Sequence, residues 1–136
     1  MKRNQLCPNS IFNEIGEVAW SPVNDAFVVK TEQGATLIVS PNSETGVPSI
    51  VHIDEIEVPL SLRRRGVATK AMTALCQLAD SYHFSLEGGP MGLSCDPWRD
   101  RFSEWVFRFG FRRHRSASLP RIEGSGAIYV RRMPHP

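Results

Sequence analysis

The sequence predicts one α/β domain, a sandwich around a single mixed, mostly antiparallel sheet. Three observations carry this. Val- and Ile-rich segments separated by tight-turn residues fill the middle of the first half, one long stretch of helical period follows them, and strand-like and helix-like segments alternate after it. At 136 residues the chain has the length of one domain, which buries roughly 65–70% of the surface its unfolded form exposes.

Residues 1–25 are poorly patterned, with short apolar groups at Ile11-Phe12 and Val18-Ala19-Trp20 among polar residues. After Ser21-Pro22-Val23-Asn24-Asp25, the runs AFVVKT (26–31) and ATLIVS (35–40) flank Glu32-Gln33-Gly34 and predict a β-hairpin. A loop at 41–48 leads to SIVHIDEIEV (49–58), a third strand stopped by Pro59. From Gly66 the period changes. Val67, Ala71, Ala74, Leu75, Leu78 and Tyr82 share one face and Lys70, Thr73, Gln77 and Asp80 the other, which predicts a helix of about four to five turns. FSLEG (84–88) reads as a short strand. Asp96-Pro97 then reads as an N-cap and first helical residue, Trp98, Phe102, Trp105, Val106 and Phe109 as the buried stripe of a helix, and Gly110 as its end. Strands at 111–115 and 127–132 close the chain.

Charge is unevenly distributed. Residues 1–60 hold three basic and eight acidic side chains, residues 61–136 thirteen basic and six acidic, so one surface suits an anion and another a cation. Cys7, Cys76 and Cys95 are odd in number and lack metal-ligand spacing, which predicts neither a disulfide framework nor a zinc site. No stretch of about 18 apolar residues occurs. The expectation is a cytoplasmic protein without a membrane segment or a metal.

The motif that carries chemistry is SLRRRGVATKA (61–71). A helix N-terminus offers free backbone N–H groups and the positive end of the helix dipole, so it cradles phosphate. Glycine at 66 permits close approach of an anion, and arginines add charge-assisted bonds. The frame is neither a Walker loop nor the G-x-G-x-x-G of a dinucleotide fold.

Arg63-Arg64-Arg65-Gly66-Val67-Ala68, preceded by Ile56-Glu57-Val58 and followed by Thr69, resembles the Q/R-x-x-G-x-G/A signature of the GNAT N-acetyltransferase family. The later WRDRFSEWVFRFGF, ending in Gly110-Phe111, is similar to that family's second helix, and the likeness extends over about residues 26–132. It implies a GNAT-like fold with a shortened acceptor-side N-terminus and acetyl-CoA as acyl donor. Backbone groups of Ile56 and Val58 would bind the pantetheine arm, with the Val58 N–H on the thioester oxyanion. The amides of Arg64, Arg65, Gly66, Val67 and Ala68 would hold the pyrophosphate, assisted by Thr69 and the side chains of Arg63 to Arg65.

The implied reaction is direct attack of a neutral amine on the thioester, which requires a base. On a regularly alternating strand His52, Asp54, Ile56 and Val58 share one face, with Glu55 and Glu57 opposite. Asp54 and His52 match the positions where the family often places its base. The family's tyrosine acid has Val106 at its place, with Ser103 a turn earlier, and the asparagine near the start of that helix is Arg99 here. Tyr82 and Tyr129 lie elsewhere in the sequence. The partner expected is an amine on a small molecule or a protein, in a monomer or a homodimer. Alternatives are a catalytically weak CoA-binding or partner-binding protein of the same fold, or nucleic-acid contact through Arg112, Arg113, Arg115, Arg121, Arg131 and Arg132, for which no groove-reading motif is present.

Overall fold

The computed structural model describes residues 9–42, 47–89, 93, 102–115 and 127–132. Over these the chain forms α1 (Asn9–Phe12), β1 (Glu17–Ser21), β2 (Ala26–Lys30), β3 (Thr36–Pro41) and β4 (Ile50–Glu57). A 3-10 turn at Leu60–Leu62 leads to α2 (Val67–Tyr82), followed by β5 (Ser85–Gly88), α3 (Phe102–Arg108), β6 (Arg112–Arg115) and β7 (Ala127–Arg131). The described strands make one seven-stranded sheet in the order β1-β2-β3-β4-β5-β7-β6. Only the β4–β5 join is parallel, because α2 provides the long crossover that parallel neighbours need, whereas tight turns join the antiparallel pairs β1–β2 and β2–β3. The expected Asp96-Pro97 helix start, with Trp98 and Arg99, lies outside the described residues, as do Cys7 and Cys95. No helix among the described residues is long and apolar enough to cross a membrane.

The N-terminal segment holds more structure than its patterning indicates. β1 pairs with β2 from Glu17↔Lys30 to Ser21↔Ala26, and Phe12 is fully buried against the Phe27 ring at 6.3 Å between centroids. β1 escapes an alternation test because it is an edge strand, with Glu17, Ala19 and Trp20 all exposed. The backbone before it passes so close to β2 that a Cβ on Gly16 would stand 2.4 Å from the Lys30 carbonyl oxygen. Gly16→Ala is therefore expected to destabilise the protein by about 2 kcal/mol, measured as a lowered urea midpoint. An unchanged midpoint would contradict the β1 placement.

Register defines the two faces. Leu37 and Val39, two apart on β3, pair with Ile56 and Ile53 on β4, and all four are buried. Two steps on β3 thus match three on β4, so β4 carries a bulge at Asp54, where the register shifts opposite Ile38/Val39. The expected face containing His52, Asp54, Ile56 and Val58 is corrected by this bulge. Ile56 and Val58 turn into the core with Val51 and Ile53, while Glu55 and Glu57, paired with Ile38 and Thr36, come round to the His52 face. One inserted residue reverses the phase of everything after it.

All described helices lie against the apolar face. α1 reaches it through Phe12 on Phe27, and α3 through Phe107 on Tyr129 at 6.4 Å. α2 reaches it through Met72, Leu75, Leu78 and Ala79, buried in one cluster with Val51, Ile53, Leu86, Phe84 and Phe111. At the end of the sheet Arg131 makes a two-pronged bond to Asp80 of α2, at 3.0 and 3.1 Å, and donates through Nε to the Phe109 carbonyl at 2.6 Å. Burial pushes the nearby Cys76 thiol up to about 11, with Arg131 acting in the opposite direction, so this sulfur is protonated and inert at neutral pH.

Candidate functional site

After β4 the chain makes a tight return. Arg63 donates through Nε to the Val58 carbonyl at 2.9 Å, pinning the loop to the strand end. Arg64 and Gly66 both adopt left-handed backbone, with φ of 67° and 77°. Gly66 is the N-cap of α2, and no side chain caps it. The first intrahelical bond runs from Lys70 N–H to the Gly66 carbonyl at 2.9 Å, so the N–H groups of Val67, Ala68 and Thr69 have no acceptor within the helix. Above Gly66 a Cβ would meet nothing within 4 Å. Uncapped amides, open space and the exposed side chains of Arg64 and Arg65 thus stand together at the place where the sequence predicts an anion seat. Val67 itself is turned into the core, so its part is its amide. Thr69 accepts a hydrogen bond from Trp105 Nε1 at 3.0 Å, which ties α3 to the first turn of α2.

β4 leads from this seat to the ionisable cluster. It pairs with β3 as far as Glu57, but with β5 only over Ile50↔Ser85, Val51↔Leu86 and His52↔Glu87. The ladder ends there because β5 stops at Gly88, one residue after Glu87. The β5-facing edge of residues 53–57 has no strand partner among the described residues. About 13 Å of strand separates Asp54 from Val58, at roughly 3.3 Å per residue.

At the last β4–β5 pair four side chains meet across three strands. Ser40, His52 and Glu87 occupy one register row, and the bulge sets Asp54 beside it. His52 Nδ1 is 3.1 Å from Glu87 Oε2, its Nε2 is 3.7 Å from Asp54 Oδ1, and Ser40 donates to Asp54 Oδ2 at 2.8 Å. The cluster is half-exposed, with the His52 side chain 39% and its two acidic neighbours 32% accessible. Asp54 and His52, both expected from the sequence, are thus brought together. Glu87 and Ser40 were missed, and the only signal for Glu87 was its outward position in the alternation of SLEG. Among the described residues no group of three or more such side chains is placed to hold a metal ion.

Other candidates lie elsewhere. Val106, at the tyrosine position of the resemblance, is fully buried. Tyr82 donates to Glu14 at the far end of α2, and Tyr129 is buried opposite Gly88 on the helix-covered face. The Ser103 side chain lies outside the described residues. Trp105 and Phe109, expected as core, pack only partly buried against it, in edge contact at 5.1 Å. Of the arginines of the nucleic-acid alternative, Arg131 is engaged with Asp80, and Arg112 with the Phe111 carbonyl at 2.8 Å and the Phe107 ring at 5.6 Å. An open groove on the helix side, lined by Glu14, Glu17, Lys30, Glu32 and Gln77, shares no residue with this cluster.

No protein-family model matches this chain, and no curated protein matches it. Among solved structures, it is similar to the crystal structure of a GNAT-family acetyltransferase from Staphylococcus aureus Mu50, with a TM-score of 0.50 and 12% identity over 77% of this chain. The match spans about 65% of the length of that protein. At this identity the likeness is one of fold. The four leading antiparallel strands, the α2 crossover, the parallel β5 and the closing β6–β7 pair make this an α/β domain with a GNAT-like fold.

Proposed function

We propose that this protein is an acetyl-CoA-dependent N-acetyltransferase that acts on an amine. One arrangement carries the reading: the uncapped N-terminus of α2 is joined by β4, whose residues 53–57 have no strand partner on the β5 side among the described residues, to a cluster of proton-accepting side chains at the last β4–β5 pair. An extended donor with phosphates at one end and a reactive group at the other matches that layout. The space above Gly66 fits the phosphate end. The amides of Arg64 to Ala68 would hold it, with Arg64, Arg65 and Thr69 beside them, and the edge of Ile56 and Val58 would align the arm through backbone groups alone, since both side chains point into the core.

Acetyl-CoA supplies an activated acyl group: a C–N bond to the amine forms, the C–S bond breaks, and the sulfur leaves with the electron pair. The chain's own work is to hold the donor and take a proton. A lysine-like amine, with a pKa of about 10.4, is almost wholly protonated at neutral pH, so a base must take one proton before attack, and His52 and Asp54 are the side chains placed to do so. The acidic side chains on the open face, Asp54, Glu55, Glu57 and Glu87, favour a cationic acceptor. A second reading, CoA binding without turnover, is favoured by the burial of Val106, which leaves no acid at that place.

The test is release of free thiol from acetyl-CoA over a panel of primary amines. Amine-dependent release is expected. Binding of acetyl-CoA without release from any amine would replace the enzyme reading with the second one.

A further inference from the structure

We propose that Glu87 is a positioning residue for His52: it accepts a hydrogen bond from Nδ1–H and so fixes the tautomer whose Nε2 lone pair faces Asp54 and takes the acceptor's proton. The catalytic part of this assignment rests on the acetyltransferase reading above.

Three features of the cluster lead there. First, the two carboxylates flanking the imidazole are not equivalent. Glu87 Oε2 lies 3.1 Å from Nδ1, within hydrogen-bond reach, whereas Asp54 Oδ1 lies 3.7 Å from Nε2, beyond it. A carboxylate at 3.1 Å selects the ring nitrogen that carries the proton, and the other nitrogen becomes the acceptor. Second, Nε2 and Oδ1 are then two acceptors facing one gap. An atom with two diverging hydrogens, the nitrogen of a primary ammonium or a water, placed about 2.8 Å from both would satisfy them together. Third, the gap has fixed walls. Ser40 donates to the other oxygen of Asp54 at 2.8 Å, and Ser40, His52 and Glu87 stand in one row of the sheet. Strand pairing rather than a loop sets their spacing.

The proton balance is simple. A proton passes from the ammonium to Nε2, the freed nitrogen pair becomes the nucleophile, and the imidazolium keeps its Nδ1–H on Glu87. The charge that appears on the ring lies between two carboxylates, which stabilise it.

The row is half-exposed, so its salt bridges add little to stability and Glu87 variants are expected to remain folded. The experiment compares wild type, Glu87→Ala and Glu87→Gln by 15N NMR of the neutral His52 ring, with His52→Gln to assign the resonance, and by steady-state kinetics. The wild type is expected to show the Nδ1–H tautomer. Glu87→Ala should shift to the Nε2–H form and lose roughly tenfold in kcat at unchanged KM for acetyl-CoA. Glu87→Gln, whose carbonyl oxygen can still accept, should restore much of both. An Nε2–H wild type, or a tautomer and kcat indifferent to Glu87→Ala, would overturn the assignment. Absence of amine-dependent thiol release from the wild type would instead overturn the acetyltransferase reading, and the NMR comparison would still decide what Glu87 does to His52.

Discussion

Combining His52→Ala with Asp54→Asn is expected to lower kcat/KM for the amine by roughly 10²- to 10⁴-fold at neutral pH, the usual contribution of a positioned base, with little change in KM for acetyl-CoA. The two acceptors lie 3.7 Å apart, so each single variant should lose less than the pair, the remaining group taking the proton directly or through water. The pH dependence gives a signature. With no base on the protein, the rate follows the fraction of amine that is already neutral. It should climb about tenfold per pH unit until the amine's own pKa, near 10.4 for a lysine-like acceptor. The proposed phosphate seat at α2 lies beyond the other end of β4 and should be untouched. A double variant as active as wild type at neutral pH would remove both residues as bases.

Phe12→Ala is expected to be the most damaging single change to stability, at about 3–5 kcal/mol. Phe12 has no exposed surface and packs beside Phe27 in the main core cluster. With Ile11 it is also the buried anchor of a segment held further by β1 and by the Tyr82–Glu14 bond. In a domain of this size the loss corresponds to a Tm lower by roughly 10–20 °C. A drop of less than about 1 kcal/mol in a urea titration would mean that residues 9–16 do not belong to the core.

These two cases also divide what could be read in the sequence from what could not. β2, β3, β4, α2 and β5 were legible because each is a local pattern with its own stop: Gly34 in the first turn, Pro59 after β4, the switch to helical period at Val67. The helix start at Gly66 was legible for the same reason, since a glycine between a strand and a helical run is written in consecutive residues. β1 was not, because an edge strand with both sides partly exposed leaves no alternation to find. Nor was the bulge at Asp54. It exists only in the pairing of β4 with β3, where Val39 faces Ile53 and Ile38 faces Glu55, and nothing within SIVHIDEIEV announces the extra residue. That one residue decides whether Ile56 and Val58 line the His52 face or the core. Glu87 was hidden by the same kind of cause. Its meeting with His52 depends on the parallel register of two strands separated by a sixteen-residue helix.

The measurement that bears most directly on the whole account is calorimetric titration of acetyl-CoA into wild type and into Gly66→Asp. Asp tolerates left-handed backbone better than most residues, so the variant should fold, while its carboxylate stands in the open space above the free amides of Val67, Ala68 and Thr69. The expected result is one-to-one binding by wild type and at least tenfold weaker binding by Gly66→Asp, with single alanine substitutions of Arg64 or Arg65 costing less than about fivefold, as exposed charges do. No binding by the wild type, or equal affinity in wild type and Gly66→Asp, would contradict the assignment of the α2 N-terminus as the donor's phosphate seat.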